Sequence, residues 1–321
     1  MRTALIHHAE CDLHRMQPDH PESPERLRAV LERLRDSGLS GDMIEIEDAP
    51  PASADDIARV HPEDFVDALR HLEPASGLAP VDGDTFMGPG TLQAATRATG
   101  CAIAAVDGVL EGRFEAAFCA VRPPGHHAES RLAMGFCFYN SIAIAARRAL
   151  EVHGLDRVAI LDFDVHHGNG TAEIFQDDPR VLLASSFQHP VLSRPMTTTW
   201  TASSGVHATR RRNPGGDFRR LVERDWSAAL ERHRPQLILV SAGSHAHRDD
   251  PLAQLELRDE DFGCGSAASS PMRPGTTATG GWYRCWRGDT TCGPWRPARS
   301  STSRRWWRAD HGTEARGWHS L

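Results

Sequence analysis

"ILDFDVHHGNGT", residues 160–171, sets two aspartates and two histidines within six residues directly behind an apolar run. A short apolar run closing on a Gly-rich turn reads as the end of a buried strand. Ionisable groups in such a place cost several kcal/mol unless they are paired or bind a cation. Side chains alternate along extended backbone, so Asp162, Asp164 and His166 project to one side. Asp164 and His166 offer an oxygen and a nitrogen of the kind zinc takes at about 2.0–2.2 Å. Asp162 is placed to orient a histidine or to hold a monovalent cation. A polar strand end that merely caps the next helix is the simpler reading, and the density of D-F-D-V-H-H-G-N-G weighs against it.

Outward from this stretch, short apolar runs alternate with longer amphipathic ones, the pattern of a parallel sheet covered by helices. The expected strands are Arg2–His7, Ala116–Val121, Arg157–Asp162, Val181–Ser185 and Gln236–Ser241, and the expected helices are Pro24–Ser37, Ala54–His71, Thr91–Glu111, Ser141–Val152 and Asp217–His233. Three strands run into polar turns, "RPPGHHAES", "DVHHGNGT" and "SAGSHAHRDD". Ligands of open parallel sheets bind outside the carboxyl ends of the strands, so the three turns mark one site. His126 and His127, in the first turn, form a candidate general acid/base pair, since imidazole titrates nearest neutrality. The doublet His7-His8 has no such context and reads as ordinary polar decoration. Cys137 reads as wall or core rather than nucleophile.

The chain has 321 residues, enough for one large α/β domain, and a net charge of −7 with no lysine at all. No basic run marks a nucleic-acid footprint. The opening M-R-T-A-L-I-H-H reads as too short an apolar stretch for a signal peptide, and nothing later approaches about 18 uninterrupted apolar residues, so the expectation is a cytoplasmic protein without a membrane segment. Seven scattered cysteines lack C-x-x-C spacing and read as reduced thiols.

These stretches together resemble the zinc-dependent histone deacetylase and acetylpolyamine amidohydrolase superfamily. The matching text is "RPPGHHAE" (residues 122–129), "GFCFYNSIAIAA" (135–146), "ILDFDVHHGNGT" and "LILVSAGSHAHRDDPLAQLELRDEDF" (237–262), with weaker matches in "HPESPERL" (20–27) and "DTFMGPGTLQAATRATG" (84–100). The PPGHHA form is similar to the class II and bacterial branch. The resemblance implies a three-layer α/β/α arginase/deacetylase-like fold around a mainly parallel sheet. It makes Asp164 and His166 zinc ligands, His126 and His127 the catalytic pair, and Asp162 the carboxylate that orients one of them, with Asn169 near the second histidine. A structural potassium ion would use Asp162, the backbone of Asp164 and His166, and Ser185. The implied reaction is hydrolysis of an acetylated amine, acetyl-lysine or acetylpolyamine, in which zinc polarises the acyl carbonyl and activates water. Oligomeric state and partner proteins are left open. A manganese ureohydrolase of the arginase type shares the fold but calls for more carboxylate ligands.

Two expected pieces are missing. The family's third zinc ligand is the Asp of S-A-G-F-D-A-H, whereas this chain has Ser244-His245, leaving His245 as a substitute ligand. The oxyanion-donating tyrosine belongs to L-E-G-G-Y-D, which does not occur. Beyond Phe262 the periodicity stops, and six of the eight tryptophans crowd into the remainder. One codon choice for residues 282–293, read two bases out of register, gives V-S-V-L-E-G-G-Y-D-L-R. The expectation is therefore a deacetylase-like catalytic domain over 1–262, incomplete at its C-terminal end, and an aberrant, frame-shifted tail without native fold over 263–321, with Tyr283 no descendant of the catalytic tyrosine. Residues 193–213 also depart from family texture. Lost sheet pairing invites aggregation, so the chain as written is expected to fold poorly and turn over little, as an impaired pseudoenzyme would.

Overall fold

Each expected apolar run forms a strand of one sheet. The computed structural model of the chain describes residues 2–189, 205–210, 218–220, 222–241, 243, 247, 257–258, 261 and 283–287. The strands are β1 (Thr3–His7), β2 (Met43–Ile46), β5 (Ala116–Ala120), β6 (Val158–Asp162), β7 (Val181–His189), β8 (Gly205–Arg210), β9 (Leu237–Ser241) and β10 (Tyr283–Arg287), in spatial order β2-β1-β5-β10-β9-β6-β7-β8. A separate antiparallel pair joins β3 (Ala79–Pro80) to β4 (Phe86–Met87). Every pairing in the large sheet is parallel except those of β10, which runs antiparallel to β5 and β9. Strands β5, β6 and β9 are buried at all five positions, as expected where helices cover both faces.

The helices that cover the centre explain themselves. Helix α4 (Thr91–Leu110) is apolar nearly all round and buries fourteen of its residues, the signature of an interior helix. Gly100 lets the chain cross it closely, because a Cβ there would lie 1.9 Å from the Pro50 carbonyl oxygen. It packs against a second interior helix, α5 (Ser141–Glu151), and the two together lie on the middle strands. On the flanks, α1 (Pro24–Asp36) contacts β5 and the helix Ser227–His233 contacts β7. The result is the three-layer α/β/α architecture. Among the described residues, no helix is long and apolar enough to cross a membrane.

Several boundaries differ from expectation for identifiable reasons. The run Ala54–His71 is two helices, α2 (Ala54–Ala58) and α3 (Glu63–Leu72), because Pro62 can donate no backbone bond and starts the second as its cap. The stretch before His233 holds a π-helical turn, Val222–Trp226, ahead of an α-helical end. Strands β2 and β8 close the two edges and were not among the expected ones. The segment Tyr283–Arg287, expected to lie in a tail without native fold, takes a slot between β5 and β9 in the interior of the sheet.

Candidate active site

Strand β6 ends at Asp162, and the following turn runs beside the loop that leaves β5. Arg122 fixes that loop. Its guanidinium is buried and donates to Glu22 Oε1 at 2.7 Å, the Cys11 carbonyl at 3.1 Å and the His14 carbonyl at 3.2 Å. Three residues after Arg122 the chain turns and presents His126 and His127. Asn140, the N-cap of α5, accepts from the Ala143 amide and donates to the Ala128 carbonyl at 3.0 Å and to Thr171 Oγ1 at 3.2 Å. One amide side chain thus ties the histidine loop, the start of α5 and the next helix, α6 (Asn169–Phe175), into a single unit.

The glycines of H-H-G-N-G permit this approach. A Cβ on Gly168 would lie 2.5 Å from Asp162 Oδ2, and one on Gly170 would lie 2.2 Å from the Ala128 carbonyl oxygen. Gly135 serves in the same way from the opposite wall, with φ of +56° and an added Cβ 2.6 Å from the His127 ring. Phe136 follows, also at positive φ, its amide donating to Thr85 Oγ1 at 3.0 Å and its ring 4.7 Å from His20.

The two histidines sit in unlike surroundings. His126 Nδ1 donates to Asp162 Oδ2 at 3.0 Å. His127 Nδ1 donates to Asn169 Oδ1 at 2.7 Å, and the Asn169 amide is held in that sense because its Nδ2 donates to Glu129 at 2.8 Å. The imidazole centroids are 4.0 Å apart, and His166 lies 5.9 Å from His127. Burial works against a charge on His126, but the Asp162 carboxylate outweighs it and raises the pKa to about 9. Burial and the neighbouring His126 push His127 well below the usual imidazole range. Burial raises Asp162, despite His126 beside it. One buried imidazole therefore holds a proton against a carboxylate, while the other stays neutral with Nε2 left as a base. Such divergent environments separate acid from base.

Asp164 and His166 lie next to this pair. Asp162 Oδ1 accepts from the Asp164 amide at 3.1 Å, and Asp164 Oδ1 accepts from the His166 amide at 2.8 Å and stands 3.1 Å from His166 Nδ1. Gly243, two residues after β9, packs directly on Asp164, since a Cβ there would fall 1.5 Å from Asp164 Oδ2. Among the described residues, no third His, Cys, Asp or Glu completes a metal-binding group with this pair. His245 lies outside the described residues. Ser185 is paired in register with Asp162, and its Oγ is buried without a hydrogen-bond partner, which fits a site for a cation held by oxygens. Cys137 is fully buried, and burial pushes its thiol up, consistent with a wall residue.

A histone deacetylase domain profile matches residues 20–273. The chain belongs to the histone deacetylase family. It is 40% identical over 250 residues to the histone deacetylase-like amidohydrolase of Pseudomonas aeruginosa, a match covering 76% of this chain and 65% of that protein. The chain thus spans just under two thirds of that relative's length. It is 35% identical to a probable deacetylase of Archaeoglobus fulgidus, covering 80% of this chain and 73% of the other, and 33% identical to the human polyamine deacetylase HDAC10, covering 82% and 42%. The solved HDA15 HD domain superposes with a TM-score of 0.76 at 28% identity, covering 84% of this chain and 79% of that one. Membership places the chain in a family of deacetylases and amidohydrolases acting on acylated amines.

The family text had directed attention to the histidines and aspartates. Their supports were not read from it: Arg122 with Glu22, Asn140, Glu129, and the close-approach glycines. Arg122 and Glu22 did stand inside the quoted "RPPGHHAE" and "HPESPERL", as a charge of each sign with no assigned work.

Proposed function

We propose that this histone deacetylase family chain descends from a zinc-dependent amidohydrolase of the class II-like bacterial branch, which frees acetate from an acetylated lysine or polyamine in the cytoplasm. One observation carries the reading: the His126–Asp162 and His127–Asn169 pairs stand side by side against Asp164 and His166. Asp164 and His166 would hold zinc, and His245, two residues beyond the Gly243 that packs on Asp164, is the candidate third ligand. Zinc in that place would polarise the acyl carbonyl and acidify a water. His127, neutral with Nε2 free, accepts the proton of the attacking water. His126, holding its proton against Asp162, delivers one to the departing amine. Asp162, the Asp164 and His166 carbonyls and Ser185 would hold potassium, the orphaned Ser185 Oγ being the feature in its favour.

A second reading has its own support: the chain as written is an impaired relative. The third-ligand aspartate is replaced at His245, and no L-E-G-G-Y-D tyrosine follows. We attribute the latter to a shifted reading frame beginning soon after Phe262. The shifted reading of residues 282–293 sets V-S-V-L-E over the five codons that here encode Tyr283–Arg287, the segment that fills the slot between β5 and β9. That coincidence favours a family strand at the same place in the sheet.

Acetate release from an acetyl-lysine peptide and from an N-acetylpolyamine, with and without a chelator, tests both readings against a version with S-A-G-F-D and L-E-G-G-Y-D restored. Loss of one oxyanion donor costs about 10²–10³ in turnover, so the restored version should exceed the printed chain by at least about a hundredfold. Equal turnover would defeat the pseudoenzyme reading. Inactivity of both on either substrate would defeat the deacetylase reading.

A further inference from the structure

On the outermost strand pair of the same carboxyl edge, His7 closes β1 opposite Ala120 with its side chain only 7% exposed, and two carboxylates converge on it from the neighbouring edge strand. His7 Nε2 is 2.8 Å from Glu45 Oε1 and 3.6 Å from Glu47 Oε1. Sheet register explains the convergence. Ile6 pairs with Ile46 in parallel β1 and β2, so Glu45 and Glu47, two residues apart on one side, straddle the imidazole. The three donor atoms lie within 4.8 Å of one another, and no other group of three His, Cys, Asp or Glu among the described residues does so.

We propose that His7, Glu45 and Glu47 form a binding site for a divalent transition-metal cation, zinc by preference, that pins edge strand β2 to β1. A cation with bonds of about 2.1 Å in tetrahedral geometry needs ligand atoms roughly 3.4 Å apart. The two distances to Nε2, 2.8 and 3.6 Å, bracket that value, and the third pair of donor atoms lies within 4.8 Å. One nitrogen with two carboxylate oxygens is a borderline donor set that suits zinc better than calcium or magnesium. Glu45 and Glu47 are 39% and 66% exposed, which leaves an approach for the metal and a fourth position for water. The competing charge is Arg35, whose guanidinium lies 3.5 Å from Glu45 Oε1. It pairs with the same oxygen that the cation would take. The site does not depend on the catalytic reading.

Zinc titration of the full chain carrying Asp164→Asn and His166→Ala, which remove the other candidate zinc ligands, tests the proposal calorimetrically and by thermal shift. One zinc equivalent is expected, with a rise in melting temperature. Adding Glu47→Gln, at an exposed position that folding does not depend on, should weaken that equivalent at least tenfold and cancel the thermal shift. Arg35→Gln should tighten it. Absence of a zinc equivalent up to millimolar metal would overturn the site, and so would an equivalent that survives Glu45→Gln combined with Glu47→Gln.

Discussion

Arg122→Met offers the sharpest test of how the catalytic loop is held. The guanidinium has 3% exposure and its partner Glu22 has 2%. Arg122 and Arg26 together hold the Glu22 carboxyl below its usual range although burial pushes the other way. Removing Arg122 leaves Glu22 with only the bond from Arg26 at 3.1 Å, and strips a donor from the Cys11 and His14 carbonyls. Breaking one side of a buried ion pair costs about 3–5 kcal/mol, and each abandoned carbonyl adds on the order of 1 kcal/mol. A loss of at least about 3 kcal/mol is expected. Pulse proteolysis across a urea series reads it at concentrations too low for aggregation to interfere. The double change Glu22→Leu with Arg122→Met should recover part of the loss, because it removes the stranded carboxylate as well. A midpoint for Arg122→Met equivalent to less than about 1 kcal/mol of destabilisation would refute the clamp. So would a double variant worse than the sum of its singles.

Gly243→Ala drives a methyl to 1.5 Å from Asp164 Oδ2, so zinc affinity at the proposed Asp164–His166 site should fall at least about tenfold; unchanged affinity by equilibrium dialysis would show that Asp164 is not held as described. Asp178 accepts from Arg180 at 2.7 Å and from Arg147, and these bonds depress its pKa to about 2. A depressed carboxylate stabilises the fold above its unfolded pKa of about 3.9 and loses that contribution as pH falls through about 2. With Arg180 half in solvent the effect is about 1 kcal/mol, so Asp178→Asn should destabilise by that much at pH 7, and the gap should close toward pH 2; a gap independent of pH would contradict it. Cys137, buried with its thiol pushed up, should resist iodoacetamide until the chain unfolds; labelling of folded protein at the rate of a free thiol would place it at the surface instead.

The strands that carry the site were legible because each pairs an apolar core with a polar, Gly-rich exit. Runs such as Ile160–Asp162 and Leu237–Ser241 announce both burial and direction. The edge strand Met43–Ile46 was not legible, since M-I-E-I is too short to show a period and owes its form to pairing with β1. The break at Pro62 could have been read from the proline, and the amphipathic pattern on both sides of it obscured the break. The chemistry-bearing side chains were visible as a local cluster, whereas their supports act across the chain. Arg122 meets Glu22 one hundred residues away, and Asn140 meets Thr171 across thirty-one. No local pattern encodes such partners. Gly168, Gly170 and Gly243 looked like turn residues, and only three-dimensional neighbours reveal that each marks a backbone pressed against a side chain of the candidate site or its loop.

Strand direction decides what the segment in the central slot can contribute. The parallel strands β6 and β9 deliver Asp162–His166 and Gly243 from their carboxyl ends. In antiparallel β10, Tyr283 pairs with Ser241 at that same edge while Arg287 pairs with Leu237 at the far one. The last residue of the strand, Arg287, therefore lies at the edge away from His126 and His127. The shifted reading places its G-G-Y-D after the strand, so its tyrosine reaches the catalytic edge only if V-S-V-L-E runs parallel to β5 and β9. A restored chain should accordingly reverse the strand, exchanging the paired register of Tyr283 with Ser241 for one in which the strand's last residue lies beside Ser241. Cysteine pairs placed at Ser241 and at either end of the strand distinguish the two directions by which disulfide forms. Cross-linking at the first residue in both chains would mean that restoring the frame alone does not complete the site.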